Sequence, residues 1–201
     1  ATEYQLCDLP DYEEIERVLF ECGLFIEEHG MRVTSHPDHF VKLASPDERI
    51  ASNAIRDLEI HGEVFDLLCL PRTHYAKLNI HVGASYGDKP KALDTFCKNV
   101  ERLPDAVRSR LTVENDDRAS LYSTLDLLEV YKRVGTPIVH DLHHHHFNTG
   151  GLSNADALAL AVGTWGDTTP VVHYSQSRAT EYNDPRIKAH AHSDSYWIPV
   201  D

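Results

Sequence analysis

Residues 137–146, PIVHDLHHHH, concentrate side chains that bind metal ions. Pro137, Ile138 and Val139 are apolar and read as a short buried strand. Beyond it come Asp141 and then His143, His144, His145 and His146. Carboxylate and imidazole together are ligands for a zinc- or manganese-class ion. Asp141 and His144, three apart, can turn toward one centre on a tight loop. The competing reading is a solvated histidine-rich loop. A purification tag fits poorly, because the run is internal and follows a strand.

Four other apolar runs end in a similar way. Residues 32–34, 77–80, 111–113 and 170–172 read as strands leading to His36, His81, Glu114 and His173. Helical patterns alternate with them. One opens at Asp8 to Asp11, carries Ile15, Val18, Leu19, Cys22 and Leu24 at helical spacing, and stops at Gly30. A second starts near residues 45–48, Ser-Pro-Asp-Glu, and carries Ile50, Ala54, Ile55, Leu58 and Val64 toward Leu68. Others cover 90–103, 123–134 and 155–161, with Gly135 as a stop. The alternation predicts a parallel α/β sheet wound by right-handed crossovers, in a single domain over 1–201.

A lone histidine at a strand end is more often simply hydrogen-bonded, and a glutamate there more often caps the next helix. The repetition at five ends is what points to a site. In a parallel α/β barrel the C-terminal strand ends converge on one face. His36, His81, Glu114, Asp141 and His173 would then share a pocket, and clustered carboxylates need a cation. Glu114 or Asp141 can bridge two ions. Paired metals suit in-line phosphoryl displacement, one ion activating water and the other stabilising the leaving oxygen. In residues 188–194, His190 and His192 would face one side if the segment is extended. A surface loop is the alternative.

The chain has 201 residues, 41% hydrophobic and 25% charged, which is ordinary globular composition. No apolar run is long enough to span a bilayer and no signal peptide opens the sequence. Cys7, Cys22, Cys69 and Cys97 form no CxxC pair, so they read as reduced, buried thiols of an intracellular protein. The net charge of -13 argues against a non-specific nucleic-acid binder. Bound divalent cations would offset that objection, and the 14 histidines weaken it below neutral pH.

The motifs RVTSHPDHF (32–40), LNIHVGASYGDK (78–89), LTVENDDR (111–118), PIVHDLHHH (137–145), VHYSQSR (172–178) and AHAHSD (189–194) follow DLPDYEEIE in this order. The series resembles the UV damage endonuclease family, which is similar in fold to endonuclease IV and the xylose-isomerase-like barrels. The resemblance implies a TIM-type (β/α) barrel, present here without its first strands and its last strand, with about five of the usual eight. It implies a metal-dependent endonuclease that nicks DNA 5′ to pyrimidine dimers and related lesions, leaving 3′-hydroxyl and 5′-phosphate ends. The implied partner is double-stranded DNA carrying UV lesions, with no membrane, and the protein is expected to be monomeric. Manganese is the implied ion, up to three per chain, with zinc and magnesium as alternatives.

Carried over by motif, the ligands are His36, His81, Glu114, Asp141, His144, His173 and His192, with His190 a weaker candidate. Glu114, His36 and His144 are the implied catalytic residues. His39 and Phe40 occupy the segment that reaches into the duplex beside a flipped-out dinucleotide. Extruding a damaged pair costs less than extruding a stacked one, and Phe40 would fill the gap left behind. The chain departs from the family pattern in four places. Asp38-His39 stands where Gly-Gln usually follows His-Pro. Val171 stands where some members carry a modified lysine. His140 replaces a usually apolar residue, and a late glutamate ligand would lie beyond Asp201. A sugar isomerase or epimerase on the same scaffold is the alternative enzyme, and a metal-binding remnant the non-catalytic alternative. Three metals per chain would favour the nuclease and one the isomerase.

Overall fold

The computed structural model describes residues 5–193. They fall into two compact units, divided between Thr112 and Val113. Asp194, from the AHAHSD motif, lies outside the described residues. No helix among the described residues is long and apolar enough to cross a membrane.

The first unit contains α1 (Tyr12–Glu28), α2 (Glu48–Leu67), β1 (Leu78–His81), α3 (Lys89–Glu101), α4 (Asp105–Arg108) and the start of β2 (Leu111–Glu114). Helix α2 starts where the sequence says it should. The Asp47 carboxylate accepts from the amides of Arg49 and Ile50, which fills two of the helix's orphan donors. Ala51, Ala54, Ile55, Leu58, Gly62 and Phe65 form its buried stripe. Its glycine marks a close crossing. A Cβ on Gly62 would stand 2.9 Å from Val107 Cγ2, so α4 lies almost against the α2 backbone. A Cβ on Gly23 of α1 would collide with the Leu68 carbonyl oxygen.

Two expectations fail in this unit. Helix α1 has the predicted periodicity, but Cys22, read as buried, is exposed, as are Val18 and Leu24, and Gly23 is the helix's one buried residue. Residues 32–34 are not a strand. Pairing there is confined to one parallel bridge, in which Ser35 donates to Lys77 O and accepts from Asn79 N, both at 2.9 Å. The segment is held instead by Arg32, which donates to the Tyr75 carbonyl at 2.8 Å and lies over the Tyr75 ring at 4.5 Å.

Arg110 ties this unit together from inside. Its side chain is fully buried. It donates to the carbonyls of Leu70 (2.5 Å), Pro71 (3.1 Å) and Ala106 (2.9 Å), and to Asp66 Oδ1 at 2.8 Å. Those acceptors come from the end of α2, the turn after it, and α4. Burial alone lifts the Asp66 carboxyl, but hydrogen bonds and charge from Arg72 and Arg110 outweigh it and hold the group below its usual value.

The second unit contains the end of β2, then α5 (Thr124–Val134), β3 (Ile138–Asp141), α6 (Leu142–Phe147), α7 (Asn154–Val162), β4 (Val172–His173) and α8 (Arg178–Glu181). Its strands pair in parallel: Val113 with Ile138, Glu114 with Val139, His140 with Val172, and Asp141 with His173. Strand β3 is pinned at its start, where Ile138 N–H donates to Thr164 Oγ1 (2.9 Å) and Trp165 Nε1–H donates to Ile138 O (2.7 Å). Helix α5 opens with a Ser123/Asp126 capping box and ends on Gly135 at φ 71°, as its sequence predicts.

Three further readings are corrected. The histidine run is a helix, α6, and not a loop, because Asp141 leaves β3 extended and caps the next turn with its own side chain. Residues 188–193 are not a continuous extended segment: 189–190 form a turn and His192 alone bridges, antiparallel, to Ser177. All four cysteines are free, but only Cys97 is buried.

The Arg110 cluster yields a prediction. Arg110→Met leaves buried carbonyls without donors and should lower unfolding free energy by roughly 3 kcal/mol, read from the denaturant midpoint. Asp66, whose folded carboxyl titrates below its unfolded value, adds stability above the unfolded value that disappears as pH falls through the folded one. Asp66→Asn should therefore flatten the acid end of the stability curve.

Candidate metal centre

The period-two alternation of a strand sorts neighbouring residues onto opposite faces. On β3 it separates His140 from Asp141. His140 is fully buried and turned toward the helices. Its Nε2–H donates to Asn154 Oδ1 at the start of α7, and its Nδ1 accepts from the Thr124 hydroxyl at the start of α5, both at 3.0 Å. Both ring nitrogens are engaged, so His140 is a buried polar clasp and not a ligand. Asp141 shares the opposite face with Glu114, the last residue of β2.

Glu114 and Asp141 are each 2% exposed. The last residue of β4, His173, meets them, with Nδ1 at 3.0 Å from Glu114 Oε2 and 3.9 Å from Asp141 Oδ2. Ligand-capable atoms of Glu114, Asp141 and His173 lie within 4.8 Å of one another. A second group, Asp141, His144 and His192, meets the same limit, and Asp141 belongs to both. The two ring atoms His144 Nε2 and His192 Nε2 face each other at 3.0 Å.

Hydrogen bonds set the tautomers. Asp141 Oδ1 accepts from the His144 amide at 2.8 Å, which fixes the backbone of the first turn of α6. His144 Nδ1–H donates to the Asn115 carbonyl at 2.8 Å, so its Nε2 carries the lone pair. His192 Nδ1 pairs with the Ser175 hydroxyl at 2.6 Å. Burial first, and then the His144 imidazole, hold His192 below its ordinary value, with Asp141 and Glu114 pulling part of the way back. The neutral ring is the ligating form. Two buried carboxylates among imidazole rings form a donor set that fits a divalent cation.

His190 does not join the set. Its Nδ1 pairs with Asp117 Oδ2 at 2.9 Å and its ring stacks on Phe147 at 4.0 Å. His143 packs edge-on against His192 with ring centroids 4.9 Å apart. Burial, and then the His192 imidazole, lowers its pKa. His145 is buried beside His140 and is likewise lowered, by burial first.

In the first unit, the rings of His36 and His81 lie 5.5 Å apart. His36 Nδ1–H donates to the Pro37 carbonyl at 3.1 Å. Beyond it the chain turns tightly. The Asp38 side chain accepts from the Phe40 amide, and its carbonyl accepts from the Val41 amide. His39 pairs with the Asp38 carboxylate at 2.7 Å. Phe40 is left 70% exposed, its ring 4.2 Å from that of His39.

The sequence reading missed Asn115 and Ser175. Asn115 is fully buried; its Oδ1 accepts from Asp141 N–H (2.8 Å) and its Nδ2 donates to Asp141 O (3.1 Å). It clamps the ligand-bearing end of β3 from both sides. Its place directly after Glu114, in ENDD, was the available signal.

The family model described as UV-endonuclease UvdE matches residues 8–196. The UV DNA damage endonuclease of Bacillus pumilus (strain SAFR-032) is 35% identical over 179 residues, covering 88% of this chain and 53% of that protein. That of Bacillus mycoides (strain KBAB4) is 34% identical over 184 residues, covering 90% and 56%. The chain thus spans about half the length of the curated relatives it matches. The crystal structure of SacUVDE superposes with a TM-score of 0.81 at 32% identity, over 92% of this chain and 59% of that one. Endonuclease IV from Thermus thermophilus (TM-score 0.57, 19% identity, 88% and 62% covered) shares the fold alone. So does a D-psicose 3-epimerase (TM-score 0.57, 16% identity, 80% and 58% covered). These neighbours are TIM-type α/β barrels, the fold class that the family resemblance implies. With the family model spanning nearly all of it, the chain belongs to the UV-endonuclease UvdE family.

Proposed function

We propose that this chain carries the catalytic centre of a metal-dependent DNA repair endonuclease. The enzyme nicks duplex DNA on the 5′ side of UV photoproducts and leaves 3′-hydroxyl and 5′-phosphate ends. One observation carries the reading: Glu114, Asp141 and His173, from the ends of three parallel strands, present ligand atoms within 4.8 Å of one another. Glu114, Asp141, His144, His173 and His192 are the proposed ligands in the second unit, and His36 and His81 are the proposed ligands in the first. Divalent ions, manganese before zinc or magnesium, supply Lewis acidity to the phosphodiester when bound.

The chain's own residues do the positioning. Asn115 fixes the end of β3, and Asp141 fixes the turn that carries His144. Ser175 holds the His192 ring by its far nitrogen. His39 and Phe40 stand on a preformed turn, so little ordering entropy is lost when the exposed ring enters a base stack. Selectivity then comes from the lesion, because a damaged pair unstacks at lower cost. The enzyme is proposed to act as an intracellular monomer, a setting that suits its four free thiols.

The direct test is nicking of UV-irradiated supercoiled plasmid with added manganese. Glu114→Gln should lower the rate by at least about a hundredfold while the thermal midpoint stays near wild type, and chelation should abolish nicking. A Glu114→Gln enzyme that nicks normally would remove the residue from the centre. Asn115→Ala should weaken metal affinity by about 10- to 100-fold, measured by metal titration. Phe40→Ala should weaken binding to a photoproduct-containing duplex by about tenfold, with metal content per chain unchanged.

A further inference from the structure

The turn after β1 holds a residue that neither the fold nor the metal ligands require. Tyr86 has φ 50°, in the left-handed region, and its side chain is 48% exposed. Aromatic residues rarely adopt this backbone, and glycine would adopt it freely. Gly83 (φ 94°) and Gly87 (φ 79°) bracket it. The turn is locked to α3 behind it: Asp88 N–H donates to Ser85 O at 2.9 Å, and the Asp88 side chain accepts from Lys91 N–H at 3.1 Å. A strained, exposed aromatic on a rigid turn is a conformational cost that folding does not explain.

Tyr86 faces company. With Ser85, Asp88 and Lys91 it lines a cleft of about 180 Å³ whose other wall is Ala44 and Pro46. That wall belongs to the segment that carries Phe40 and Lys42. The segment is anchored from inside, with Leu43 and Ala44 buried and the Leu43 carbonyl accepting from Asn99 Nδ2 at 2.7 Å. Two exposed aromatics therefore stand on neighbouring, anchored loops, each with a lysine nearby. Lys42 Nζ is 5.9 Å from the Phe40 ring centroid, and Lys91 lines the cleft with Tyr86. Aromatic faces beside ammonium groups are the pattern that takes nucleobases and their phosphates. The pattern is notable in a chain with net charge -13.

We infer that Tyr86 stacks on a nucleobase of the bound DNA and that Lys91 contacts an adjacent phosphate, making the turn after β1 a second contact beside the Phe40 segment. This rests on the reading of the chain as a DNA endonuclease. The phenol face, not its hydroxyl, does the work, and the contact is indifferent to base identity.

The test uses the intact manganese-loaded protein and a fluorescein-labelled duplex with a single thymine dimer, titrated by anisotropy at several salt concentrations. Tyr86→Gly removes the ring and suits the left-handed backbone, so its thermal midpoint should stay near that of wild type. Its Kd should rise about tenfold or more, with the salt dependence unchanged. Tyr86→Phe should bind within about twofold of wild type. Lys91→Met should reduce the slope of log K against log salt by about 0.9, the signature of one lost phosphate contact. Tyr86→Gly binding like wild type, or Lys91→Met leaving the slope unaltered, would overturn the inference. In that case wild-type nicking of the irradiated plasmid would leave the endonuclease reading standing. Wild type that neither binds nor nicks would sink both.

Discussion

Glu114 and Asp141 stand at the ends of adjacent strands with almost no water around them. Two carboxylates in that setting favour either a shared proton or a cation. The second unit is arranged around keeping them there. Parallel pairing sets the Asp141 and His173 ends side by side and keeps Glu114, beside Val139, on the same face, and Asn115 locks the last peptide of β3. His140 bonds α5 and α7 to the back of the sheet, so the strand cannot twist its acidic face away. Trp165 and Thr164 hold the same strand at its other end. The Asp141 peptide, the His144 ring and the His192 ring each have a hydrogen-bond partner, which helps make so dry a charged cluster tolerable.

The strand ends were legible because two simple rules agree. Short apolar runs bounded by turn residues read as buried strands, and strand–helix alternation forces them parallel. Once parallel, their final residues gather without needing proximity in sequence, as Glu114, Asp141 and His173 do. Helix starts near Asp47 and at Ser123 were visible for an equally local reason, a short oxygen-bearing side chain before an apolar stripe.

What the sequence concealed depends on contacts distant in the chain or on weak local signals. Four successive histidines have no helical stripe, so α6 could not be seen without knowing that Asp141 caps it. Residues 32–34 have the apolar look of a strand, yet only Ser35 takes part in pairing, and Arg32 anchors the segment by its side chain. The Ile15 to Leu24 stripe is helical, but periodicity reports shape and not cover. Asn115 was hidden differently. An asparagine after a glutamate looks like any turn residue until its two hydrogen bonds to Asp141 are seen.

The carboxylate of Asp141 answers to two masters. As the cap of α6 it must be short, since serine, threonine, asparagine and aspartate are the side chains that reach back to the third amide. As a member of both donor groups it must be anionic, which leaves out the first three. Aspartate alone satisfies both demands. Glutamate would keep the charge and unpeg the helix, whereas asparagine would keep the helix and forfeit the charge, so evolution has no neighbouring residue to drift to at this position.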